Sequence, residues 1–153
     1  MELLQAIEQL GLVRLLKTSF VAYPIINAVH IAAIGALYTA VLLMDFAVLR
    51  WVRSVPREKL VALLRRVALF AFVLAVLTGL ALFSVRAAHY AETPVFLVKI
   101  GLIGLAILNF LAFATLARKG LADAPSIALR LSAIASILLW TGVLLCGRFI
   151  GFV

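Results

Sequence analysis

One cysteine, two histidines and six acidic residues are all this chain has of the side chains on which most enzyme chemistry depends. The lone Cys146 excludes an intrachain disulfide and any CxxC redox or zinc motif. No Gly-rich phosphate loop, nucleophile elbow or HExxH is present, which removes the common nucleotide-binding, hydrolase and metalloprotease readings. No catalytic residue can be named on that basis. Charge is scarce too: 13% of residues are charged, where a soluble domain carries roughly a quarter. Internal repeats and low-complexity stretches are absent.

What fills the chain instead is apolar. Of its 153 residues 67% are hydrophobic, and the mean hydropathy is +1.25. Four apolar segments stand out, at about 21–49, 67–90, 95–117 and 127–151. Each reaches the roughly 20 residues that cross a ~30 Å hydrocarbon core. The short connections predict antiparallel neighbours, with Ser54-Val-Pro56, Thr93-Pro94 and Asp123-Ala-Pro125-Ser126 marking the breaks. The expected fold is all-α: one polytopic domain over 1–153, an antiparallel four-helix membrane bundle. Small residues, among them Ala71, Ala75, Gly79, Ser132, Ser136 and the Gly147-xxx-Gly151 pair, supply close-packing faces.

A short amphipathic helix is expected within residues 2–17, lying in the membrane interface before the chain turns down at Tyr23-Pro24. Leu3, Ile7 and Leu10 share its apolar face; an extension of the first spanning helix is the alternative. The Met-Glu opening does not suit a cleavable signal.

The net charge of +8 reports topology rather than a nucleic-acid partner. Arg50, Arg53, Arg57, Lys59, Arg65 and Arg66 surround the first loop, and Arg118, Lys119 and Arg130 flank the third. That is nine of the 14 Lys and Arg residues, so both loops are expected on the cytoplasmic side of a bacterial inner membrane, in contact with anionic lipid. The second loop and both termini then face outward.

Two polar patterns stand against the apolar background. On the first helix Tyr23, Asn27, His30, Tyr38 and Asp45 fall within an arc of about 80°, a stripe expected to face the bundle interior. Asn27 and Tyr38 serve there as interhelical glue, and Asp45 is expected to pair with a loop arginine in preference to relaying protons. At the outer end, counting at 1.5 Å per residue from the basic anchors places His30, Arg86, His89, Lys99 and Arg148 roughly 27–34 Å up, in one cationic layer. Asn109 and Trp140 form a mid-membrane polar pair at about 15 Å.

Three chemistries suit that layer. His30 and His89 are candidate axial ligands of one b-type haem, with Arg86, Lys99 and Arg148 on the propionates and Tyr23 and Asn27 nearby. Electron transfer with a periplasmic redox protein or quinone would follow. Alternatively the layer binds lipid phosphates or another anion in a non-enzymatic membrane subunit. A third reading makes His30 and His89 metal ligands of a copper or small-ion permease, for which four helices require a homo-oligomer.

The stretches VHIAAIGALYTAVLLMDFAVLR, TGLALFSVRAAHYAETPVFLVKIGLIGLAILNFLAF and LLWTGVLLCGRFIGF resemble a family of uncharacterised bacterial four-helix inner-membrane proteins. The resemblance rests on His30, Gly35, Asp45, Gly79, Phe83, Tyr90, Pro94, Phe96, Lys99, Asn109, Trp140, Gly147 and Arg148. It implies the four-helix membrane fold and no particular reaction. The general look is similar to copper-resistance D proteins and b-type cytochromes. The chain departs from the pattern at Thr93, where the family has Asn, and at His89, which lies outside the pattern.

Overall fold

A computed structural model describes residues 2–52, 54–117 and 126–152. Among them the chain is helical throughout: α1 (Glu2–Glu8), α2 (Gly11–Thr18), α3 (Ala22–Val48), α4 (Arg57–Val85), α5 (Ala87–Glu92), α6 (Pro94–Ala117) and α7 (Ile127–Phe149), ending in a 3-10 turn, Ile150–Phe152. Four of these, α3, α4, α6 and α7 with its 3-10 turn, are long and apolar enough to cross a membrane.

The helix ends follow local chemistry. Ser19 Oγ accepts from the Ala22 N–H at 3.0 Å to start α3, and Ser126 Oγ accepts from Leu129 N–H at 3.3 Å to cap α7. The chain leaves α3 through Arg50 at φ 64, with Trp51 N–H closing onto the Phe46 carbonyl at 2.9 Å. That is the left-handed exit usually given to glycine.

Two elements differ from the sequence reading. The second apolar run belongs to a helix that starts earlier, at Arg57, because the Arg, Glu, Lys and Leu residues of 57–66 are good helix formers outside the apolar run. It also stops earlier. Arg86 turns to φ −142 and ψ 50, and 87–92 forms the separate α5. The N-terminal segment is likewise two helices, parted where Leu10 is extended just before Gly11. Arg53, Arg118, Lys119, Asp123 and Pro125 lie outside the described residues.

In space α3 packs on α4 and α7, and α6 packs on α7, while α4 and α6 scarcely touch. The order α4, α3, α7, α6 therefore leaves a gap between the outer two. One core cluster gathers Met44, Val48, Val61, Phe113 and Leu129; a second gathers Leu37, Ala40, Val41, Ala68 and Ala71. Small side chains in both let the backbones come close. The outward faces are apolar as well, with Phe70 73% and Leu138 68% exposed. At the far end α1 packs on α4 and α5, and Glu8 Oε1 accepts from the Ala88 N–H at 3.0 Å.

Candidate functional site: a His30–Lys99 centre

His30 sits half-buried on α3 with its ring against α4. The Thr78 hydroxyl donates to the Leu74 carbonyl at 2.6 Å, so at 2.9 Å from His30 Nδ1 its oxygen is the acceptor. Nδ1 therefore carries the proton of the neutral ring, and Nε2 keeps its lone pair. The ring is laid on Gly79: a Cβ there would come 3.0 Å from Cε1. Glycine at 79 makes room for the imidazole, a role its sequence reading as a packing residue did not disclose.

Lys99 enters from α6. It is half-buried. Its Nζ would lie 3.6 Å from a Cβ on Gly147, and Cys146 is a further neighbour. Two close contacts are set here: His30 of α3 on Thr78 and Gly79 of α4, and Lys99 of α6 beside Gly147 of α7. Among the described residues no carboxylate ion-pairs with His30 or Lys99.

The other members of the expected cationic layer are placed differently. Arg86 is exposed at the α4–α5 break, and Arg148 is exposed with its guanidinium 4.5 Å above the Phe152 ring. His89 is exposed on α5, its ring 5.8 Å from that of Tyr90. Tyr90 stacks in turn with Phe83 at 6.2 Å and meets Phe96 at a tilt at 5.7 Å, joining α4, α5 and α6. A bis-histidine haem needs both imidazoles facing one iron across an open slot. Here one ring lies on Gly79 and the other is exposed beside Tyr90, so the arrangement gives that ligation no support. Among the described residues no group of three or more His, Cys, Asp or Glu is placed to hold a metal ion.

The polar stripe of α3 divides along its length. Tyr23 and Asn27 are exposed rather than inward. Lower down the residues do turn inward: Tyr38 Oη lies 3.0 Å from Thr141 Oγ1 on α7. Asp45 is 2% exposed, and the neighbour found at its carboxyl is Ser136 of α7 rather than an arginine. Its Oδ2 has no hydrogen-bond partner among the described residues.

Asn109 and Trp140 are not paired with each other. Asn109 Nδ2 donates to the Ser132 carbonyl and its Oδ1 accepts from Ser132 Oγ, both at 3.0 Å. Trp140 meets Phe72 edge-on at 6.3 Å. With Asp45 they line one cavity of about 230 Å³. Thr78, Thr141, Ser132 and Ser136 are the partners that sequence reading missed.

Fold and site together define an all-helical protein with four helices able to cross a membrane, in which the half-buried His30 and Lys99 have no carboxylate partner among the described residues. Comparison with protein-family models, curated proteins and solved structures found no match.

Proposed function

We propose that this is a non-enzymatic inner-membrane protein, an antiparallel four-helix bundle with both termini outside, that binds a hydroxyl-bearing phosphate group at its outer end. The observation that carries the reading is the half-buried Lys99, set beside Gly147 with no carboxylate ion-paired to it among the described residues. An ammonium withdrawn from water requires a counter-ion. Lys99 supplies the charge that holds a phosphate oxygen, and His30 Nε2, left as an acceptor by the Thr78 bond, takes a hydroxyl. A glycerol-phosphate lipid head and free hydrogen phosphate share that chemistry.

The membrane assignment is supported by the exposed apolar side chains of the long helices, each of which would cost about 1.5–3 kcal/mol left in water. The antiparallel order is supported by contacts such as His30–Thr78 on α3 and α4 and Asn109–Ser132 on α6 and α7. Sidedness is supported by the basic residues around α4's start.

The test is thermal unfolding of the purified protein in nanodiscs of phosphatidylglycerol or of phosphatidylcholine, and in neutral detergent with added inorganic phosphate. A higher midpoint in phosphatidylglycerol, lost in Lys99→Gln and in His30→Leu, is expected. Stabilisation by inorganic phosphate as well identifies the free anion as a ligand. Equal midpoints under all conditions for the wild type would overturn the reading.

A further inference from the structure

The cavity holding Asp45 lies away from the His30–Lys99 centre and has a chemistry of its own. Its walls are mostly apolar, drawn from all four long helices: Leu37 and Val41 on α3, Phe72 on α4, Phe110 and Phe113 on α6, Trp140 on α7. Asp45 belongs to this lining, and its carboxyl is incompletely satisfied. Asp45 is 2% exposed, and Oδ2 has no hydrogen bond among the described residues. An orphaned buried acceptor of this kind costs about 1–3 kcal/mol, so a structure that keeps one has a reason to.

Its polar neighbours are already committed. Asn109 and Ser132 satisfy each other, and Ser136 serves the Asp45 carboxyl. Trp140 is the exception: its indole Nε1–H, a donor only, has no hydrogen-bond partner among the described residues. The cavity therefore sets a buried carboxyl and an indole with a free N–H together in a greasy wall. A hydroxyl answers both, since it donates and accepts through the same oxygen.

The cavity's size and mouth fix the rest of the ligand. At about 230 Å³ it is smaller than the ~300–1,000 Å³ of a pocket that encloses a whole drug-sized molecule. Its open side is framed by Leu69 of α4 and by Ile107 and Leu111 of α6, all exposed. These border the gap where α4 and α6 scarcely touch. In a bilayer that gap opens sideways onto lipid tails, so a head group enters from within the membrane and leaves its chain outside.

We propose that this cavity binds the hydroxyl head of a long-chain apolar alcohol or phenol, which enters from the bilayer between α4 and α6 and bonds Asp45 and Trp140. The inference rests on the membrane reading but not on the phosphate site.

Trp140 is a built-in reporter, because the only other tryptophan, Trp51, is exposed and can be replaced. The experiment uses the full-length Trp51→Phe protein in neutral detergent without phospholipid, where the phosphate reading plays no part. Dibrominated stearyl alcohol is titrated while Trp140 fluorescence is followed, alongside the dibrominated alkane of the same chain length. Saturable quenching by the alcohol and only linear, partition-driven quenching by the alkane are expected. Asp45→Leu should weaken the alcohol by about tenfold, the worth of one hydrogen bond to a buried acceptor. Ala106→Leu, which fills the cavity from the wall of α6, should abolish saturable quenching while the protein stays folded by circular dichroism. Identical linear quenching by both probes would overturn the proposal. So would saturable quenching untouched by Ala106→Leu, or a purified dimer whose partner copy covers the gap and shuts both probes out.

Discussion

The imidazole of His30 and the backbone of Gly79 are in direct contact: a methyl group at position 79 would stand 3.0 Å from Cε1 of the ring. The Nδ1 bond to Thr78 Oγ1 at 2.9 Å holds the ring there, so it cannot slide aside without losing a partner. Gly79→Ala should therefore cost the wild type about 1–3 kcal/mol of overpacking, offset by roughly 1 kcal/mol of helix propensity. In a His30→Ala background the clash is gone and the same change should stabilise. Thermal unfolding of the four variants checks it, and an identical effect of Gly79→Ala in both backgrounds would contradict the contact.

The reciprocal pair between Asn109 and Ser132 ties α6 to α7 through two hydrogen bonds, one to a hydroxyl and one to a main-chain carbonyl. Each such bond within a membrane bundle is worth about 0.5–2 kcal/mol. Ser132→Ala removes one and leaves Asn109 Oδ1 without a donor, whereas Asn109→Leu removes both. Unfolding in mixed micelles should rank Asn109→Leu as the more destabilising. The double variant should fall short of the sum, because the two residues share one network.

Tyr90 offers a pH-dependent handle outside the four long apolar helices. Burial raises its pKa above the ordinary 10.0, the neighbouring Tyr23 adds to the rise, and Arg86 opposes it. The folded state thus favours the neutral phenol more than the unfolded state does. Its contribution to stability is complete below pH 10.0 and is lost as pH rises through the higher folded value. Ultraviolet titration should show a tyrosine component ionising above the usual range, absent from Tyr90→Phe. With it, α5 should loosen at high pH, because Tyr90 stacks on Phe83 and Phe96.

Much of the fold is legible in the sequence because long unbroken apolar runs favour long helices. The observed α3, α6 and α7 lie close to the apolar runs that announce them. Helix ends are less legible where nothing apolar marks them: α4 gains its first turns from charged helix formers, and the break at Arg86 lies inside a stretch with no Pro or Gly. Within the site, His30, Lys99 and Asp45 are conspicuous because charge is rare in an oily helix. Their partners are not. Thr78 and Ser84 satisfy their own helices' carbonyls, so a hydroxyl's sequence position says little about which neighbour it also serves. Helical angles group Tyr23 and Asn27 with His30, but only the neighbouring helices decide where the covered face ends.

The orientation of the whole arrangement is open to a direct check, because Cys146 is the only cysteine. With Cys146→Ser as the starting protein, a cysteine introduced at exposed Ser54 or exposed Glu92 reports which side each end occupies. Ser54 precedes the basic start of α4, where Arg57, Lys59, Arg65 and Arg66 cluster; Glu92 ends α5, next to the aromatic stack. The positive-inside rule predicts the basic end on the cytoplasmic side. A membrane-impermeant maleimide applied to intact spheroplasts should therefore label Glu92→Cys at once and Ser54→Cys only after lysis. The opposite pattern would invert the bundle. The His30–Lys99 centre would then face the cytoplasm, where its phosphate ligand would come from the inner leaflet. The Asp45 cavity opens sideways between α4 and α6, so its access from the bilayer would survive the inversion.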